Sequence, residues 1–486
     1  MRGYSVPLAK HLASAEHRPF PGEVLFKRTL SYHYRARSPL RNRLSMSSPS
    51  NAGFRLAKRI SESIAFYPVL ITALYAVLAA AMLAFETTSL ASSLRERLPS
   101  GLADPDTARD ILSTLITSIV SLTVFSFSMV MVVLNGAAAR LTPRVLPGLI
   151  SDTRNQVILG IYLGSVLYYL LLITTINKDQ PTDIPSVGLL LALLMGILNL
   201  AMFVVFIRSV SQSIQVDWVL SQLYRGAYAN LEKRKRRLAN VRAVPDDADW
   251  WCLPASRPGY LRAVNERQLG ELLSKRNLLA VIQVEPGFFL VEGHPLIRFS
   301  APLGDEDKAA AVDCFDFQNN EFASANVSYG MRQMAEIAVK AISPAINDPG
   351  TAMRAINLIS VLLQRIGGVP PFDVGCFDDG QPRLFYPQLA MQRMLEAVIA
   401  PIRVYASHDP LVMITLLQCM KNALHDSPSD EQVKAIHDEI RALRDQADAK
   451  VESWRDRHAV NDAIERLLKL EGRKRPSVQL LPVDRK

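Results

Sequence analysis

Four places in this 486-residue sequence carry residue types that can do chemistry. The stretch SPAINDPGTA gathers Ser343, Asn347, Asp348 and Thr351 around Pro349. Their hydroxyl, amide and carboxylate groups sit where a helix begins, and free N–H groups there can hold an anion or polar ligand. The competing reading is capping, with Asp348 as N-cap, Pro349 at the first helical position and Asn347 holding the turn before it. In VDCFDF, Asp313 and Asp316 could join Asp348 as oxygen ligands for a hard cation. An exposed acidic turn is the simpler explanation of that pair. His294 lies near Glu292, with no second histidine at ligand spacing. The fourth place is a run of hydroxyls, Thr114 to Ser128, inside an apolar segment. No GxSxG, Walker A or GxGxxG motif occurs, so no catalytic residue or cofactor is expected.

The elements around these residues are dominated by four apolar runs: Phe66–Phe85, Ile111–Gly136, Val157–Ile176 and Val187–Ile207. Each is long enough to cross about 30 Å of hydrocarbon as a helix. Hydrophobic residues make up 49% of the chain, yet the net charge is +9, because the basic residues flank these runs. Arg35, Arg37, Arg41, Arg43, Arg55, Lys58 and Arg59 precede the first span; Arg140, Arg144 and Arg154 lie between the second and third; Arg208 and the run at 232–237 follow the fourth. The other two connections carry little net positive charge. The positive-inside rule therefore places both termini in the cytoplasm. A basic charge without interleaved aromatics argues against nucleic-acid binding. Cys252, Cys314, Cys376 and Cys419 are far apart, without metal spacing, and suit a reducing compartment.

On the second span, Thr114, Thr117, Ser118, Ser121, Ser128 and Asn135 fall on one helical face about 100° wide, interrupted by Phe125 and Val132. Hydroxyls in hydrocarbon bond their own i−4 carbonyl or a neighbouring helix. The alternative is a water-lined path. The face has no ionisable group for a proton relay. Gly160 and Gly164 in the third span form a close-packing signal, within or between subunits.

Residues 211–257 read as a juxtamembrane helix and linker, its basic end suited to anionic headgroups. Residues 258–304 read as a small β module of four short runs, GYLRAV, LLAVIQV, FFLVEG and LIRFS, with a helix between the first two. The turn Pro286–Leu296 resembles the hairpin of biotinyl and lipoyl domains, but no lysine occupies its tip, so no carrier function is expected. Residues 305–425 read as a helical domain, and 426–486 as charged amphipathic helices, solvated or subunit-joining, with a disordered end. The first 54 residues are basic and without steady period. They read as a disordered tail, with Met46 as an alternative start.

Three stretches together resemble the DUF2254 family of predicted bacterial integral membrane proteins, whose function is unassigned. They are Asp110–Leu122 leading to Leu141–Gly160, Pro286–Leu296, and Tyr329–Ala352. The resemblance implies four N-terminal spans and a cytosolic region, and assigns no catalytic residue. Pro143, Arg144, Asn155, Gln156, Arg332, Ser343, Pro344, Asn347, Asp348, Pro349 and Thr351 match its recurrent positions. Residues 138–141, AARL, depart from its serine-rich form, which weakens any role for hydroxyls there.

The expected fold is an α-helical membrane protein with four transmembrane helices followed by an α+β cytosolic domain containing a small β module, in a bacterial inner membrane. The expected partners are the lipid bilayer, further copies of the chain, and a cytosolic protein or small molecule. Two functions stay open: an oligomeric pore or transport-related protein with a cytosolic sensing domain, or a membrane-anchored scaffold or regulator. A metal-dependent enzyme is a third.

Overall fold

A computed structural model describes residues 65–95, 97, 104–140, 153–176, 184–213, 215–238, 243–318, 326–375, 382–426 and 429–483. The basic N-terminal stretch 1–54, Pro143, Arg144 and Cys376 lie outside the described residues.

The four apolar runs are helices: α1 (Phe66–Glu86), α3 (Pro105–Arg140), α4 (Thr153–Thr174) and α5 (Ser186–Ser213), with a short α2 (Ser89–Arg95) after the first. All four are long and apolar enough to cross a membrane. The third span, α4, is the hub. It is buried over 44% of its apolar window, against 17%, 17% and 22% for the others, and packs on α1, α3 and α5. Lipid is as apolar as leucine, so these helices associate through close packing and buried polar contacts. The glycine pair supplies the first within one chain. Pro68, Ile71 and Tyr75 of α1 seat against Gly160 and Gly164 of α4. Tyrosines supply the second: Tyr168 donates to the Gly188 carbonyl and Tyr169 to that of Ala192, both at 3.1 Å, pinning α4 to α5. Glu86, buried at the end of α1, accepts from the Gly188 N–H at 2.8 Å and pairs with Arg95 at 3.0 Å. A carboxylate suits the free N–H groups at the start of α5.

Beyond α5, extended backbone at Gln215 breaks the helix before α6 (Val216–Arg237). The β portion is wider than the 258–304 stretch read from sequence. A five-stranded sheet runs β1 (Trp251–Pro254), β5 (Pro295–Phe299), β3 (Ala280–Ile282), β8 (Leu384–Pro387), β7 (Phe372–Gly375). A three-stranded sheet runs β4 (Phe289–Leu290), β2 (Gly259–Val264), β6 (Phe315–Gln318). Helix α7 (Glu266–Arg276) and α8 (Asp305–Asp313) complete the module. The turn Pro286–Leu296 is not a hairpin: β4 pairs with β2, whereas β5 pairs with β1 and β3. VDCFDF is not an acidic turn either. It is the end of α8 and strand β6, where Phe315 and Phe317 face the core and Asp316 alternates outward, 3.9 Å from Arg262.

The helical portion packs α6 with α9 (Val327–Ala341), α10 (Pro349–Ile366), α11 (Met391–Tyr405), α12 (Pro410–Ala423), α13 (Asp430–Lys450) and α14 (Trp454–Leu468) around one core. The charged helices α13 and α14 are neither a solvated hairpin nor detached. Their apolar stripes, Ile436, Ile440 and Leu443 on one and Val460, Ile464 and Leu467 on the other, close that core. The final stretch, expected to be disordered, packs down over its described residues 471–483: Leu481 is buried, and the Asn461 side chain bonds both its N–H and its carbonyl, at 2.7 and 3.0 Å. One side-chain amide there does the work of a strand partner, which composition does not reveal.

Candidate functional site

The turn before α10 is built from its own residues. Helix α9 stops at Ala341; Ser343 donates to the Lys340 carbonyl at 2.7 Å, and the Asn347 N–H donates to Ser343 at 2.9 Å. Asn347 has φ +48°, the left-handed conformation that asparagine tolerates. Asp348 then caps α10, accepting from the Thr351 N–H at 3.0 Å and the Thr351 hydroxyl at 2.7 Å. Pro349 follows at the first helical turn. The same dipeptide starts two other helices. Asp104 caps α3 ahead of Pro105 by accepting from Thr107, and Asp409 caps α12 ahead of Pro410 by accepting from Leu411 and Val412. Asp-Pro is thus this chain's recurrent way of beginning a helix. Replacing Asp348 by alanine should cost about 1 kcal/mol, as should Asp409→Ala. Thermal melts of both variants check this; a much larger loss at Asp348 alone would point to a role beyond the cap.

Beside this turn the structure opens a groove of about 470 Å³ between α10, α12 and α14. Arg354 and Arg466 line it, with Asn357 and Gln418 as further polar groups and Met353 and Ile414 as apolar wall. Arg354 also reaches across to Asp217 in the first turn of α6, Nε to Oδ1 at 2.9 Å. Sequence reading could not assemble this groove, because Arg466 is far along the chain from Arg354 and only helix packing brings them to one concave surface.

In the membrane portion, Thr114, Thr117, Ser118, Ser121, Ser128 and Asn135 are all exposed on the outside of the four-helix bundle. Thr117 bonds the Ser113 carbonyl at 2.8 Å, Ser121 that of Thr117 at 2.8 Å, and Ser128 that of Val124 at 2.9 Å. These i−4 bonds satisfy the hydroxyl hydrogens and leave their lone pairs facing out. Phe125 and Val132 are exposed on the same side. The polar residues turned inward are others. Asn199, fully buried, donates to the Tyr169 hydroxyl at 3.5 Å, while its Oδ1 and the buried Tyr162 hydroxyl have no hydrogen-bond partner among the described residues. A lone amide in the middle of the fourth apolar run was the available signal for this seam.

The candidate cation ligands are not gathered: no three His, Cys, Asp or Glu side chains come together among the described residues. His294 Nδ1 lies 2.9 Å from the Pro295 carbonyl, beside the Phe288 ring.

The sequence matches the DUF2254 family, described as a predicted membrane protein, over residues 61–422. That stretch holds the four spans, both sheets and the helical portion nearly to the end of α12. An uncharacterised protein of Mycobacterium bovis is 25% identical over 353 residues, covering 69% of this chain and 67% of its own. Uncharacterised proteins of two Mycobacterium tuberculosis strains are 25% and 24% identical over the same length and coverage. No solved structure matches the chain.

Proposed function

We propose, from the premise that this chain belongs to the DUF2254 family of predicted membrane proteins, that it is a homo-oligomeric inner-membrane protein whose second span lines a transport path. Both termini and the whole portion after α5 lie in the cytoplasm in this reading, on the strength of the basic flanks. One observation carries the path: the six polar residues of α3 face out of the protomer. Around a symmetry axis, copies of α3 would turn that face toward a shared lumen, where the free lone pairs can meet water or a substrate. Closed cyclic assembly is the ordinary form of such contacts.

The test pairs mass with flux. Light scattering and imaging in nanodiscs should give a closed ring with α3 toward its axis. In proteoliposomes, Ser121→Leu with Ser128→Leu should abolish flux while leaving the melt unchanged, since both hydroxyls bond only their own helix. A monomer, or flux equal to wild type in the double variant, sinks the path. A second reading, a membrane-anchored regulator binding a small ligand, is favoured by the groove at Arg354 and Arg466.

A further inference from the structure

We infer that the groove between α10, α12 and α14 is a binding site for a phosphate group, and that its occupant competes with Asp217 for Arg354. The charged side chains lining the groove are both arginines, Arg354 and Arg466, with no acid among them. Arg466 has no carboxylate partner among the described residues. A guanidinium presents five N–H donors in a fork that matches phosphate oxygens. Two forks on one concave surface suit an anion with several acceptors better than a single carboxylate. The side-chain amides of Asn357 and Gln418 supply further donors, and Met353 and Ile414 keep one wall dry. The volume, about 470 Å³, exceeds a phosphate alone and admits the group that carries it.

The link to the membrane comes from Arg354. Its Nε holds Asp217 at 2.9 Å, with side chains 52% and 71% exposed. An ion pair this open is weak and exchangeable. Asp217 lies in the first turn of α6, directly after the break that ends the fourth span. A phosphate in the groove therefore draws Arg354 away from an ion pair that adds to the packing of α10 on α6, the helix at the membrane exit. The phosphate can belong to a soluble ester or to a phospholipid headgroup. Binding here is independent of whether α3 lines a path, and it is read without any flux.

The experiment uses the full chain in phosphatidylcholine nanodiscs, titrated with inorganic phosphate at constant ionic strength. Calorimetry should show saturable binding. Arg354→Gln and Arg466→Gln should each weaken it at least tenfold without lowering the melting temperature, since both side chains are exposed. Asp217→Asn should tighten it several-fold by removing the competitor, whereas Asp305→Asn, on the distant helix α8, should not. A second arm exchanges the discs for phosphatidylglycerol. A rise in melting temperature there that both arginine variants lose, with no binding of free phosphate, assigns the site to a lipid headgroup. If neither probe distinguishes wild type from the arginine variants, the site is wrong. If Asp217→Asn changes nothing, the competition is wrong.

Discussion

Gly164→Leu is expected to destabilise the membrane portion by roughly 3 kcal/mol, at the upper end of overpacking costs, and to remove most monodisperse protein after extraction. Even a bare Cβ at this position would stand 2.7 Å from Tyr75 Cγ and 2.8 Å from Tyr75 Cδ2. The ring cannot give way cheaply, because α1 meets α4 along its length. One turn earlier, a Cβ at Gly160 would stand 3.0 Å from Pro68 Cα, which is backbone and moves only with the whole helix. No hydrophobic force holds α1 to α4 in lipid, so separating them by the width of a side chain forfeits most of what joins them. Gly226→Ala is the matched control. It too lies inside a helix, but its Cβ would meet nothing within 4 Å, so it should stabilise by about 0.5–1 kcal/mol. Size-exclusion profiles and melts of the variants in one detergent decide it. A Gly164→Leu protein that behaves as wild type would mean that α1 does not pack on α4 in this way.

The second large effect is expected at Arg234. This side chain is buried within α6, donating through Nε to the Phe372 carbonyl at 3.0 Å and through a terminal nitrogen to Pro370. The reason for a buried cation lies at the sheet edge. Strand β7 ends the five-stranded sheet, and because Gln388 N–H bonds the neighbouring Pro371 carbonyl at 3.0 Å, the Phe372 carbonyl points away from β8, where no strand can donate to it. Arg234 supplies the missing donor. Burial costs the guanidinium enough to bring its pKa down to about 10, against the opposing pull of Asp373 and Glu285. Arg234→Met recovers that desolvation but orphans the Phe372 carbonyl and takes a cation from Glu285. The net loss should be about 2–3 kcal/mol.

Glu285 adds a pH signature. Burial pushes its carboxyl up to about 7, although Asn326, donating at 3.4 Å, and the charges of Arg332 and Arg234 favour ionisation. A carboxyl raised on folding binds its proton more tightly in the folded state. Its contribution is present in full below about 4.5, the ordinary value, and is lost as pH rises through about 7. Melts of the wild type should therefore decline across that window by about 3 kcal/mol, and Glu285→Gln should flatten the decline. An identical pH profile in the variant would remove Glu285 from the account.

Much of this protein is a direct consequence of its sequence. Four runs of about 20 apolar residues are long and apolar enough to cross a membrane, and backbone groups in hydrocarbon must bond internally, as in a helix. The Asp-Pro caps are local for the same kind of reason: a carboxylate, its own turn and a proline with preset φ need no distant partner. Period-two alternation betrayed GYLRAV as a strand, and its spacing of Phe315 and Phe317 would have betrayed β6 as well.

What only the tertiary structure decided is which surface each legible element turns to its neighbours. Gly160 and Gly164 could have joined two chains; Pro68, Ile71 and Tyr75 take them up within one. The polar face of α3 was visible as a stripe, but a helical wheel has no outside, and packing on α4 and α5 is what leaves the stripe exposed. The pairing of β8 with β3, the buried Arg234 and the meeting of Arg354 with Arg466 all depend on residues a hundred or more positions apart. Such contacts follow from shape and burial summed over the whole core, and no window of sequence contains them.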